Sequence, residues 1–371
     1  MPNKTSIIGA GIGGLTIAIT LKQRSLQCHV YEASSELRPV GAGIIIANNA
    51  MQVFKKLGLD EKITAAGNKL SYMKITNAQL KNLSVVNLNT YEQKYGVHNI
   101  AIHRGELQKI LANELGYENI SLAKRLAKIE NTSPIELTFE DGSSIESDVV
   151  FGADGIKSIV RNQLWSNTKL RNAHQYCWRG ICEIDLPSQY HNELNEAWGK
   201  GKRIGFVKIG ARKVYWFSLS NNDVSTNLVD HFSEFHPDIL EVIKATKEDQ
   251  IIASDIQDIV KLDTWHKGQV CLIGDAAHAT TPNLGQGACQ AIEDAYVIGK
   301  LLDEGLPLQN TFDAFEKRRR KKVNQIVNTS WTLGKISQWE NPLLVGLRNG
   351  LLRMTPESVN NRQVEWVYKL D

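Results

Sequence analysis

The residues best suited to chemistry lie in three glycine-bearing loops and one aromatic, β-branched region. The longest loop is Gly274-Asp275-Ala276-Ala277-His278-Ala279-Thr280-Thr281-Pro282-Asn283-Leu284-Gly285-Gln286-Gly287. Val270, Cys271, Leu272 and Ile273 before it read as a buried strand. Ala288, Ala291, Ile292, Ala295, Ile298 and Leu302 after it recur at helical spacing. A strand therefore delivers the Asp275 carboxylate into a loop. Gly285 and Gly287 then let the backbone approach a flat ligand at a helix N-terminus, where unpaired N–H groups and a dipole of about +0.5 charge favour negative charge. The arrangement suits a ligand that becomes anionic when it reacts, although an ordinary strand-loop-helix connection has the same outline.

The second loop, Gly9-Ala10-Gly11-Ile12-Gly13-Gly14, sits between a short strand over 5–8 and a helix over 15–24, with another strand over 28–33. This is the economical sequence of a right-handed βαβ unit. Gly9, Gly11 and Gly14 have the G-x-G-x-x-G spacing for a tight turn, close approach of backbone to a pyrophosphate, and close helix–strand packing. Glu32 stands where a ribose-binding acid belongs and would repel a 2′-phosphate, so the loop suits FAD or NAD rather than NADP. The third loop closes a strand at Asp148-Val149-Val150-Phe151-Gly152-Ala153-Asp154-Gly155, with Ser158 and Arg161 opening a helix. Asp154 reads as a cofactor contact or a helix cap rather than a catalytic base.

These loops need a frame, and the bulk numbers set its size. The 371 residues, 42% apolar and 22% charged, suffice for two cores. A formal charge of +3, with basic residues spread except over 317–322, does not indicate a nucleic-acid binder; that run reads as the solvated face of a helix. Five scattered cysteines without a CxxC pair look like thiols of a reducing compartment, and no clustered His/Cys spacing suggests a metal site. Neither a signal peptide nor an apolar stretch of about 20 residues is apparent, so the expectation is a cytoplasmic protein without an integral membrane segment. From 171 to 262, aromatic and β-branched segments separated by turns describe an antiparallel sheet.

In that order and at those separations, the three loops resemble the single-component FAD-dependent aromatic hydroxylases, the group that includes para-hydroxybenzoate hydroxylase. The resemblance implies that residues 9–14 (Gly9, Gly11, Gly13 and Gly14 among them) cradle the FAD pyrophosphate, and that the middle loop with Asp154 serves FAD and nicotinamide binding. It also implies that Asp275 bonds the ribityl chain, that the loop through Pro282, Gly285 and Gly287 lies along the flavin ring, and that Arg38 and Arg104 join Glu32 in holding the ribose and phosphate portion. NADH or NADPH would bind transiently, since there is a single G-x-G-x-x-G. Oxygen would then pass to the substrate through a flavin C4a-hydroperoxide kept dry by the sheet. Within the family, Trp198-Gly199-Lys200-Gly201-Lys202-Arg203 and Tyr215-Trp216-Phe217 are similar to the urate and salicylate hydroxylase branch. That likeness implies that Arg203 binds an anionic ring and that Tyr215 orients or deprotonates it; the same pattern also fits plain sheet framework. The Trp-x-Trp-x-Ile-Pro signature of flavin halogenases is absent.

The expected architecture is α/β: a Rossmann-like FAD-binding domain (1–70, 98–170 and 263–315), interleaved with an antiparallel-sheet substrate domain (71–97 and 171–262), then C-terminal helices over 316–371. Leu343, Leu344, Leu347, Leu351 and Leu352, with Arg348 and Arg353 between them, predict a helix packing across both domains, membrane contact being the alternative. His278 is expected to be structural, without an evident partner acid. The expected function is NAD(P)H-driven hydroxylation of a planar aromatic or heteroaromatic small molecule by a monomer or weak homodimer. The alternatives are oxidation of a bulky polycyclic antibiotic such as a tetracycline, or a flavoprotein that sequesters its ligand with little turnover.

Overall fold

A computed structural model describes residues 4–37, 42–166, 168–221 and 227–370, apart from the side chain of Gln309. Arg38 lies outside the described residues. The fold is mixed α/β, with a parallel Rossmann-like sheet, a large second sheet and C-terminal helices.

Thr5–Ile8, Val149–Gly152 and Val270–Leu272 are short strands buried along their whole length, as strands covered on both faces are, and Cys28–Tyr31 beside them is partly buried. They pair in parallel, with Ile120–Ser121 at one edge and His266–Lys267 antiparallel at the other. The first helix, Ile12–Lys22, begins within the glycine loop, three residues earlier than its apolar spacing predicts. It can do so because Gly11 is its extended N-cap. All three glycine loops leave the same end of this sheet, and binding sites form at such carboxyl ends.

The second sheet has seven strands, in the order Ile252–Ile259, Leu170–Glu183, Lys213–Ser220, Lys202–Lys208, Glu193–Trp198, Tyr72–Asn77, Asn82–Asn87. Its pairs are antiparallel except one: Glu193–Trp198 runs parallel to Tyr72–Asn77. Residues 72–87 thus join strands more than a hundred positions downstream.

Two sequence expectations fail among the helices. Arg319 and Lys322, from the basic run read as solvated, are buried on the helix Thr311–Ser337. They share its inward face with Phe315, Val323 and Ile326 because side chains three and four residues apart align. The helix Pro342–Met354 does not bury its leucines either, Leu352 alone being half-buried. It turns Val345 and Arg348 inward and leaves Leu343, Leu344, Leu347, Leu351 and Met354 exposed. Arg348 holds it in place, donating from Nη1 to the Ser337 carbonyl at 2.8 Å and from Nη2 to that of Gly199 at 3.2 Å. The former is a cation at the open carbonyl end of a helix. Among the described residues, no helix is long and apolar enough to cross a membrane.

Candidate active site

Between the two sheets lies one continuous cavity of about 1070 Å³, lined by the described residues expected to hold FAD except Gly14, and by both Arg203 and Tyr215, while Ser158, Arg161 and His278 stand behind its wall. Gly14 instead serves packing: a Cβ there would stand 2.0 Å from the Gly9 carbonyl oxygen. Gly9 has φ +105°, and its own Cβ would meet the Ala153 oxygen at 2.6 Å. At Gly11 and Gly285 an added Cβ would meet nothing within 4 Å, because both face the open cavity.

Glu32 ends its strand over the first loop, accepting from the Ala10 amide at 2.8 Å and the Ser34 amide at 2.9 Å. Asp154 does cap the next helix: Oδ2 accepts from the Ile159 and Val160 amides at 2.7 and 3.2 Å. Its other oxygen, Oδ1, is buried with no protein partner among the described residues. Burial raises the Asp154 carboxyl above its ordinary range against the hydrogen bonds of Ser158 and the helix amides. Arg161 ties this loop to the third one, donating to the Ile156 carbonyl at 2.6 Å and the Ala276 carbonyl at 3.1 Å.

In the third loop, Asp275 opens onto the cavity rather than bulk solvent. Desolvation raises its carboxyl, opposed by the charges of His278 and Arg104. Gly285, at φ +61°, turns the chain into the helix Gly287–Asp303, whose N-terminus has no side-chain cap and borders the cavity. The first helix likewise starts without a cap or an acidic residue in its first turn. Two uncapped helix starts, two glycines facing open space and one orphaned buried acceptor fit an extended, phosphate-bearing dinucleotide.

His278 does have a partner acid, contrary to expectation. Its Nε2 lies 2.7 Å from Asp294 Oδ2, which also accepts from the Gly274 amide at 2.9 Å. Arg319 bonds Asp294 at 2.9 Å and Glu293 at 3.0 Å, and Lys322 reaches Glu293 at 2.5 Å. The third loop is thereby anchored from behind by buried charges that do not line the cavity.

The substrate side follows from strand alternation. Arg203, Gly205 and Val207 pair across with Leu219, Phe217 and Tyr215, and Glu196 and Trp198 lie opposite Gly205 and Arg203 on the next strand. Continuing the register puts Cys177 and Arg179 on this face at one side and Leu194, Met73, Ile75 and Val86 at the other. All these residues except Gly205 and Val207 line the cavity. Arg203 is 1% exposed, donates to Glu196 Oε1 at 2.8 Å and bonds the Asn283 side chain, which leaves its Nε without a partner. Its charge is thus already balanced by Glu196, a residue that sequence reading missed although it stands on the same strand face. Burial pushes the Tyr215 hydroxyl well above its usual range, the nearby Arg179 and Arg104 opposing.

Residues 3–330 match the FAD binding domain family. The chain is 34% identical over 357 residues to an aurachin C monooxygenase/isomerase of Stigmatella aurantiaca, covering 94% of this chain and 93% of that protein. It is 31% identical over 373 residues to a 2-heptyl-3-hydroxy-4(1H)-quinolone synthase of Pseudomonas aeruginosa, covering 96% and 95%. Klebsiella pneumoniae HpxO complexed with FAD and uric acid superposes with a TM-score of 0.89 at 26% identity, covering 98% and 96%. Sequence, fold and cavity agree that the chain belongs to the FAD binding domain family, as a single-component FAD-dependent aromatic monooxygenase.

Proposed function

We propose that this monooxygenase hydroxylates a nitrogen-containing aromatic ring that carries an apolar tail, a 4-quinolone bearing an alkyl chain being the representative substrate. One observation carries the proposal: the substrate half of the cavity sets a buried ion pair, with the Arg179 guanidinium on the same sheet face, against an apolar wall. The pair is Arg203 with Glu196, whose charges cancel while both remain hydrogen-bonding groups. Such a dipolar station suits the N–H and carbonyl of a neutral ring better than a multiply anionic one, since Glu196 would repel extra negative charge. The wall runs through Leu70, Met73, Val86, Leu194, Val364 and Val367 to the C-terminal helices. The relatives named for aurachin C and for a heptylquinolone point the same way.

FAD, when bound, accepts electrons from NADH or NADPH and activates dioxygen. Gly9, Gly11, Gly13, Glu32, Arg104, Asp154, Asp275, Pro282, Gly285 and Gly287 line the half of the cavity assigned to it, with Gly14 closing the turn behind. The helix start at Gly287 would stabilise negative charge developing beside it. Arg203 and Glu196 orient the ring, and Asn283 holds the arginine head in place. Tyr215, kept protonated by burial, acts as a hydrogen-bond donor rather than a base. The apolar wall excludes water from the reacting centre. Five free cysteines, four of them buried, support a reducing, cytoplasmic setting.

The test is anaerobic reduction of the bound flavin by NADH and NADPH in the presence of 4-quinolones of increasing alkyl length, with urate and salicylate for comparison. A long-chain quinolone should accelerate bleaching at least about tenfold over the unsubstituted ring, and admitting air should yield a hydroxylated product. Acceleration by urate or salicylate but not by the quinolones would overturn the proposal.

A further inference from the structure

We infer that the helix Pro342–Met354 docks this protein on the surface of an anionic lipid bilayer, next to the opening of the substrate cavity. Surface helices normally bury their apolar face. This one does the reverse: Leu343 is 83% exposed and Met354 81%, with Leu344, Leu347 and Leu351 exposed between them. Their spacing of one, three, four and three residues keeps them on one side of a 13-residue helix. Of the nine large apolar side chains exposed among the described residues, six fall within 343–359, Val359 on the following helix being the sixth. Two thirds of the apolar exposure is therefore gathered in one short segment, with Tyr117, Leu170 and Val260 the scattered remainder.

The occupant follows from charge, shape and position. The helix contains Arg348 and Arg353 and no acid. Arg348 is spent on carbonyls inside the protein, whereas Arg353 is exposed beside Met354, where it can meet an anionic headgroup. A stripe one helix wide and about 20 Å long is narrow for a stable homodimer, which needs about 800 Å² from each copy. A bilayer needs no matching shape and accepts such a helix lying flat. Position supplies the continuity. Leu352, next to Leu351, lines the cavity, as do Asn360, Gln363 and Val364, and Gln363 is itself exposed. The stripe and the cavity opening therefore share the same two helices. A substrate with an apolar tail, which rests on the reading above, could pass from lipid to cavity without crossing water.

Docking is tested without turnover, by sedimenting the FAD-loaded protein with vesicles of phosphatidylethanolamine and phosphatidylglycerol and reading flavin absorbance in the pellet. Wild-type protein should pellet with them. The combined variant Leu343→Ser, Leu347→Ser, Leu351→Ser should bind at least about tenfold more weakly, while keeping its flavin spectrum and its rate on a water-soluble, short-tailed quinolone. Arg353→Gln should bind about fivefold more weakly to these vesicles and equally to neutral phosphatidylcholine vesicles. The inference is overturned if wild-type protein stays in the supernatant, or if the triple variant pellets as well as wild type. It is overturned equally if wild-type protein is a dimer that the triple variant abolishes and no vesicle binds, because the stripe then belongs to a second copy. Vesicle binding without turnover of any quinolone would leave docking standing and count against the substrate reading alone.

Discussion

Two buried charge clusters flank the loop over 274–287, and they are built to opposite ends. Behind the loop, Arg319 and Lys322 meet Glu293 and Asp294, all side chains 8% exposed or less, with His278, Asn49 and the Gly274 amide filling further positions. In front of it, Arg203 meets Glu196 and Asn283 but keeps an unpartnered Nε, and the pair borders the cavity. The first cluster has every nitrogen and oxygen of its Arg319, Lys322, Glu293 and Asp294 heads committed to protein, Asn49 Oδ1 alone being left over, so it fixes shape. The second retains capacity for a ligand, so it can bind. Hydrogen-bond satisfaction of the arginine head, complete in Arg319 and incomplete in Arg203, separates scaffold from site in these two clusters.

The sharpest way to break this contrast is to remove one cation from each cluster. Arg319→Met removes the cation shared by two carboxylates in a sealed interior, leaving Glu293 to Lys322 and Asp294 to His278, and should cost about 3–5 kcal/mol in urea unfolding. Arg203→Gln should instead lower kcat/KM about 100-fold, consistent with about 2–5 kcal/mol for truncating a buried pair at a binding surface, while unfolding shifts by less than about 1.5 kcal/mol. If Arg203→Gln unfolds as easily as Arg319→Met, the front cluster is scaffold as well.

A titration probes the rear cluster further. Burial alone would raise the Asp294 carboxyl, but the charges and hydrogen bonds of His278 and Arg319 more than offset it and hold it below the usual carboxylate range. A depressed carboxyl stabilises the fold fully above its unfolded pKa of about 4 and loses that contribution as pH falls through the folded value. The stability gap between wild type and Asp294→Asn, on the order of 2 kcal/mol, should therefore be constant at neutral pH and close below about pH 4. A gap that persists unchanged in acid would mean the ionised form is not what stabilises. The smallest expected effect is Tyr215→Phe, about fivefold in kcat/KM for one lost hydrogen bond. Its pH profile should match wild type, because the hydroxyl stays neutral across the working range; a lost basic limb would make Tyr215 a base after all.

The cofactor half was more legible in sequence than the substrate half, for a physical reason. Residues 9–14 and 274–287 encode their geometry locally, through glycines whose missing Cβ atoms or positive φ are needed within a few residues. The substrate half depends on register between distant strands. Glu196 meets Arg203 only because their hairpin pairs Glu196 with Gly205. His278 finds Asp294 only once the helix Gly287–Asp303 folds back behind the loop. The basic run held a signal that charge obscured: residues 312, 315, 319, 322, 323 and 326 continue one helical face, so two of its cations had to point inward. The C-terminal leucines misled in the other direction, since apolar spacing announces an apolar face without saying what covers it.

The parallel pair between Glu193–Trp198 and Tyr72–Asn77 bears on how such a protein can be divided or recombined. A segment cut at 170 and 262 would carry five strands of the seven and end in a raw edge at Glu193–Trp198, where Ala197 and Trp198 are buried in the whole chain. An exposed apolar edge of this kind invites pairing with other chains and aggregation. Exchange of substrate preference between relatives therefore requires two simultaneous splices, one around 72–87 and one around 170–259. Crossovers at a single point leave a strand from one parent seeking a neighbour from the other.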